Sequence, residues 1–262
     1  MASKSKKRKN EIVCAEFHKL CLEDVVMSES DGDGIGTYSE KRFHRIFKRF
    51  VTDDASCYEV KIGSCVADVL CDGHITEIQT TSYSKLAPKI RYYLEKTDYT
   101  VSVVLPLICH RRIIRAEKET GEVKYTRISP QKAQLSDALD HLYYLREFLA
   151  DERLMIHVVM VSAEEYRYSE RMRYRREGAY DNDLRPTDIK EETVLRGAGD
   201  YLRFLPNELR VGEFDTAAYS KLSGIKGRSI YSALNVLTSL GILRRRQEGR
   251  KYFYTFYPEF EK

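Results

Sequence analysis

The 262-residue sequence has no apolar stretch near the roughly 20 residues that a bilayer-spanning helix needs. No membrane partner is therefore expected. The first ten residues, MASKSKKRKN, lack the apolar core of a secretory signal, so the expected location is the cytoplasm. An excess of one charge is also missing: 44 basic residues face 40 acidic ones, for a formal net charge of +4. A balance this even does not diagnose a nucleic-acid binder, and the placement of the charges says more. The six cysteines, at 14, 21, 57, 65, 71 and 109, form no CxxC pair. Spacing therefore gives no sign of a zinc site, and six free thiols among apolar neighbours in a reducing compartment is the expectation.

The sequence does have 42% hydrophobic residues, enough for one or two domains with their own cores. Basic residues gather in three runs: residues 1–10, Arg167 to Arg176 and Arg244 to Lys251. The first reads as a solvated, disordered tail that adds non-specific phosphate contacts. Residues 28–36, SESDGDGIG, begin like a calcium loop. Ile35 and Arg42 then stand where ligands are needed, so the stretch reads as an ordinary loop.

Apolar spacing predicts a helix over 11–27 and another from Ser39 to about Val51, with Phe43, Ile46, Phe47 and Phe50 on one stripe. Strands follow at Tyr58–Ile62, Cys65–Cys71 and His74–Thr80, then a helix from about Tyr83 to Glu95 and a strand over Tyr99–Leu107. A hairpin joins Ile113–Glu117 to Val123–Ile128 across Thr120-Gly121. Residues Gln134–Ala150 read as a long helix burying Leu135, Leu139, Leu142, Leu145 and Leu149, followed by a strand over Met155–Val161. This order predicts an α/β domain over 11–165. The Arg- and Tyr-rich segment 166–186 reads as a linker or surface helix, with a second domain over 187–262.

The residues that can carry chemistry lie in ADVLCDGHITEIQT. Asp72-Gly73 is a two-residue hairpin turn. Counting back from it pairs Cys71 with His74, Leu70 with Ile75, Val69 with Thr76 and Asp68 with Glu77. Directly opposed side chains have Cβ atoms about 4.5–5.5 Å apart. Alternation puts Gln79 on the face of Glu77. Two facing carboxylates repel each other unless a positive group lies between them, and a hard divalent cation such as Mg²⁺ meets that need.

A helix, a hairpin bearing Asp68 and Glu77-x-Gln79, a second helix and a further strand resemble the PD-(D/E)XK nuclease superfamily over about 37–107. The resemblance implies a restriction-endonuclease-like mixed sheet flanked by helices. It also implies a metal-dependent DNA endonuclease with catalytic Asp68, Glu77 and Gln79, and Mg²⁺ (or Mn²⁺) held by Asp68, Glu77 and Glu40. Gln79 stands where the family carries a lysine that helps activate water. Lys61, Lys85 or Lys89 would then supply the missing cation.

Near the C-terminus, Asp215-Thr216 caps a short helix, Ser223-Gly224-Ile225 turns, and Ser229 starts a second helix that Gly241 ends. Two alternating segments follow around Glu248-Gly249-Arg250. Over about 200–257 this order resembles the winged helix-turn-helix of bacterial regulators. It implies that Ser229–Leu240 enters a major groove of duplex DNA. Lys226, Arg228 and Tyr231 would then lie near phosphates or base edges, with Arg250 and Lys251 on the wing. A homodimer is compatible with this reading. The alternative expectation is a catalytically inactive nuclease-fold protein acting as a DNA-binding regulator or assembly factor.

Overall fold

Helices and strands alternate along the computed structural model, which describes residues 14–24, 38–81, 83–117, 120–169 and 181–257. The basic tail 1–10, the 28–36 loop and the 170–176 part of the second basic run lie outside the described residues. The chain forms two compact units. One comprises Met1–Tyr58, Pro106–Ala133 and Val159–Glu192; the other comprises Glu59–Leu105, Gln134–Val158 and Thr193–Lys262.

Residues 14–24 (α1) and Tyr38–Val51 (α2) are helical. Strands follow at Tyr58–Ile62 (β1), Cys65–Cys71 (β2) and His74–Ile78 (β3), then helix Tyr83–Lys96 (α3). Next come Thr100–Glu117 (β4), Val123–Ile128 (β5), helix Ala138–Leu142 (α4), Leu154–Ser169 (β6) and Asp181–Arg196 (β7). The sheet order is β1-β2-β3-β4-β6-β7, with β5 paired to β4. The sheet is mixed, because β2 and β3 pair antiparallel whereas β3 and β4 pair parallel.

In the first unit, aromatic packing joins α1 to α2. The Phe17 ring lies 5.1 Å from Phe47 and meets Phe50 edge-on at 5.3 Å. In the same unit Arg42, 4% exposed, pairs with two buried carboxylates. Its Nη1 lies 2.9 Å from Asp24 Oδ2 and its Nε 3.4 Å from Asp183 Oδ1. Arg45 also donates to Asp24, and Arg185 donates to Asp183 at 2.6 Å. The expected hairpin across Gly121 forms between β4 and β5.

In the second unit, α3 buries Leu86, Ile90 and Tyr93. The residues expected to form one helix over Gln134–Ala150 divide instead into 3-10 turns at Leu135–Asp137 and Tyr143–Leu145 on either side of α4. Leu139 and Leu142 are buried from α4 itself, and Leu145 is buried from the 3-10 turn that follows it. The C-terminal part contains Glu213–Asp215 (β8), helices Thr216–Ser223 (α5) and Ser229–Ser239 (α6), and strands Leu243–Glu248 (β9) and Lys251–Phe256 (β10). These strands form a three-stranded antiparallel sheet in the order β8-β10-β9. Asp215 caps α5 by accepting from the Ala218 N–H at 2.8 Å, and Gly224 ends it at φ 74°, which glycine adopts without steric cost.

Strand β6 runs on to Ser169 and β7 starts at Asp181, so both ends of the expected 166–186 linker are strand. The thiols depart from expectation too. Cys14, Cys21, Cys65 and Cys109 are free, whereas Cys57 and Cys71 are disulfide-bonded. Neither lies in a local pair motif, so their spacing carried no sign of bonding. Burial pushes the Cys21 thiol up to about 12, which leaves it unreactive.

Removing the cation from the Arg42 network leaves Asp24 and Asp183 buried without their shared partner. Arg42→Ala is expected to cost about 3–5 kcal/mol of unfolding free energy, read from urea titrations.

Candidate functional site

The hairpin places the acidic residues. Asp72 and Gly73 both have positive φ, 47° and 75°, as a two-residue type I′ turn requires. The observed register is Cys71↔His74, Leu70↔Ile75 and Val69↔Thr76, as the turn position implied. Asp68 and Glu77 are the next pair in line. Side chains directly opposite on an antiparallel pair share a face, so both carboxylates lie on the face that carries Leu70 and Ile75.

The two acids have different surroundings. Glu77 is 2% exposed and sits under α3. Lys89 Nζ lies 2.5 Å from its Oε2, and the Tyr93 hydroxyl donates to its Oε1 at 2.9 Å. Lys89 and Tyr93 are four residues apart, so they project from one side of the helix. Asp68 is half-buried, and its Oδ2 accepts the Ile78 N–H at 2.8 Å. Burial pushes the Glu77 carboxyl above the usual range, and the Asp68 charge adds to this; Lys89 and Tyr93 oppose it. Burial, then Glu77, likewise raises the Tyr93 hydroxyl.

Among the candidate cations, Lys89 is the one on the carboxylate. Lys61 and Lys85 are exposed. The Gln79 amide is directed elsewhere: Nε2 donates to the Thr81 carbonyl, while its backbone N–H extends the β3–β4 ladder to Val104 O at 2.9 Å. The Glu40 side chain lies outside the described residues. Among the described residues, no three His, Cys, Asp or Glu side chains cluster closely enough to hold a metal ion. Tyr93 escaped the sequence reading. Its signal was the i, i+4 pairing with Lys89 on a stripe that also carries Ile90.

The opposite face of these strands is polar in another way. The His74 ring hydrogen-bonds with Thr100 Oγ1 at 2.6 Å and Ser102 Oγ at 2.9 Å, and Ser102 Oγ lies 3.2 Å from His157 Nε2. Burial, and then the neighbouring His157, lowers the His74 pKa, so the folded protein favours the neutral ring.

The residues expected to meet DNA are at the surface. Lys226, Arg228 and Tyr231 are exposed at the start of α6, and Arg250 and Lys251 are exposed at the β9–β10 turn. No helix among the described residues is long and apolar enough to cross a membrane.

The fold and this site define a mixed α/β protein whose sheet buries an acid–lysine–tyrosine cluster beneath one helix. Residues 41–196 match the domain of unknown function DUF8091, and the chain belongs to that family. It is also 28% identical over 168 residues to a protein of Treponema pallidum (strain Nichols) described as uncharacterized. That match spans 63% of this chain and 66% of the relative, just under two thirds of the relative's length. No solved structure matches the chain at a significant level.

The raised Glu77 pKa has a consequence for stability. A carboxyl raised on folding contributes stability that is fully present below its unfolded pKa and is lost as pH rises through its folded pKa. Glu77→Gln keeps the shape and cannot ionise. The variant is expected to gain thermal stability relative to the unsubstituted protein as pH rises from the ordinary carboxylate range to about 8. Melting curves across that range check it.

Proposed function

We propose that this protein is a metal-dependent DNA endonuclease of PD-(D/E)XK type that engages duplex DNA through a C-terminal winged helix. The observation that carries the proposal is Lys89 on the buried Glu77 carboxylate at 2.5 Å, with Asp68 on the same sheet face. Acid, acid and lysine are the chemistry the motif requires, with the lysine supplied by α3 in place of Gln79.

The donor set fits a hard divalent cation. Mg²⁺ commonly binds through only one or two protein carboxylates, completing its shell with water and substrate phosphate. The raised Glu77 carboxyl is the kind of group that an added cation would stabilise as the anion. Asp68 and Glu77 would hold Mg²⁺ (or Mn²⁺), with Glu40 as the further acidic candidate. When bound, such a cation polarises a phosphate and lowers the pKa of water. The chain's own groups do the rest. Tyr93 fixes the Glu77 carboxylate by its hydroxyl. Lys89 offers a positive group beside the site where phosphate charge must be met.

Support for the winged-helix part is the order β8–α5–turn–α6–β9–β10 and the exposure of its basic residues. Lys226, Arg228 and Tyr231 would approach bases and phosphates, with Arg250 and Lys251 on the hairpin beside the backbone. A homodimer would present two such surfaces.

One observation favours the second reading, a nuclease-fold regulator or assembly protein without catalysis. The Gln79 amide is tied to Thr81 in its own loop rather than to either acid.

Plasmid incubated with Mg²⁺ or Mn²⁺ separates the two. The expected result is nicking or cleavage that falls about 100-fold or more in Asp68→Ala, Glu77→Ala and Lys89→Ala, with the fold kept by circular dichroism. Equal cleavage by all three variants rejects this site and points to a contaminant or another centre; no cleavage by the unsubstituted protein together with no metal binding by calorimetry rejects the enzyme and leaves the regulator. For the DNA surface, Arg228→Glu or Lys251→Glu should weaken duplex binding and reduce the logarithmic salt slope by about one unit for each phosphate no longer neutralised. Unchanged slopes in both would move the DNA surface away from α6 and the hairpin.

A further inference from the structure

Helix α6 lies in the second unit between the β9–β10 hairpin and the turn after α4. On one side its Ser229 hydroxyl donates to Asp140 of α4 at 2.6 Å, and its Ser239 hydroxyl donates to the Arg146 carbonyl at 3.2 Å. On the other side Arg245 of β9 reaches Asn235, with Nη1 3.5 Å from Oδ1. The same guanidinium lies 4.9 Å from the centre of the Tyr252 ring. Asn235 stands one turn after Tyr231, and its amide donates to the Tyr231 carbonyl at 2.7 Å. These two residues, with Tyr144 and Arg228, line a cleft of about 380 Å³, in the size range that holds a small ligand. The links form one continuous surface that runs from Tyr252 through Arg245, Asn235 and Tyr231 to Tyr144 and Arg228.

Three rings stand open along it: Tyr252 is 38% exposed, Tyr231 56% and Tyr144 41%. Its charge is positive. Arg228 and Arg245 are exposed, and neither has a carboxylate partner among the described residues. Alternation along β9 sends Arg246 to the other face of the hairpin, where Glu213 holds it at 2.8 Å and Glu248 at 2.7 Å. Asp140 also lines the cleft, but Oδ2 is held by Ser229 and Oδ1 is buried.

We propose that this surface binds single-stranded DNA, with bases stacked on Tyr252, Tyr231 and Tyr144 and phosphates at Arg245 and Arg228. An aromatic ring binds the face of a base. A duplex hides those faces against neighbouring pairs and shows only base edges in its grooves. Reading an edge takes an amide with free donors and acceptors, whereas the Asn235 amide is engaged by its own helix and by Arg245. Rings and guanidinium groups are what the surface offers, and that combination follows an unpaired strand with little regard to sequence. Asn235 and Ser229 are engaged within the protein and leave a ribose 2′-hydroxyl without their help, so the strand is assigned to DNA. The inference shares α6 and the hairpin with the duplex reading, and either can fail without the other. It does not depend on the carboxylate site at Glu77.

Fluorescence anisotropy with labelled strands of about 12 nucleotides tests it, using all-thymine and all-adenine DNA, the duplex they form and the RNA equivalents. Both DNA strands should bind, within about tenfold of each other. Tyr144→Ala and Tyr252→Ala should each weaken them about tenfold at an unchanged melting temperature. Tyr144→Phe keeps the ring and should keep the affinity. Arg245→Gln should reduce the logarithmic salt slope for the single strand by about 0.7. Tyr144 lies outside both α6 and the hairpin, so Tyr144→Ala should leave duplex binding as it was. Duplex binding without strand binding overturns this inference and leaves the winged-helix reading standing. Strand binding that weakens in Tyr144→Ala, with no duplex binding, overturns the winged-helix reading and supports this one. Binding of neither overturns both. Strand affinity unaltered in both alanine variants, or RNA bound more tightly than DNA, also overturns the proposal.

Discussion

A single buried carboxylate sets how α3 packs on β3. Glu77 is charged only if something on α3 answers it, and α3 answers twice, with Lys89 and Tyr93. Isolated ionised groups are too costly to bury, so the helix must dock with these two residues facing β3. That requirement fixes the rotation of α3 about its own axis. Leu86, Ile90 and Tyr93 are then buried with it. The first unit solves the same physical problem with the sign reversed, one guanidinium between two buried acids.

The hairpin was legible in the sequence because its information is local. Asp72-Gly73 accepts positive φ at both positions, and a two-residue turn leaves one register. The caps of α5 were legible for the same reason. Asp215 and Gly224 act on backbone groups within a few residues of themselves. The choice of Lys89 from three lysines was not local. It depends on how far α3 is wound before it meets the sheet. Tyr93 was invisible for a related reason, since a buried tyrosine in an apolar stripe looks like core until its hydroxyl has a partner.

The segment at 134–150 shows where periodicity alone fails. Leucines at spacings of three and four satisfy an α-helix on paper, but the run Leu139, Leu142, Leu145 is purely triple. Leu139 and Leu142 still lie on α4, and the chain passes into a 3-10 turn only from Tyr143, with Leu145 buried there. Strand β6 was clipped short and β7 was missed for the opposite reason. Their outer parts carry arginines and tyrosines paired with nearby acids, as in Arg167 with Glu165 and Arg185 with Asp183, so polar composition disguised a strand as a connector.

Lys89 and Tyr93 share one turn of helix, and this shapes how the sequence can change over time. A residue added within Tyr83–Pro88 would turn everything after it by about 100°, carrying both groups off Glu77 together. A residue added at 79–81 meets no such constraint, because a loop can absorb length that a helix must convert into angle. Descendants of this chain can therefore vary freely in how they enter α3 while holding the phase of the helix itself.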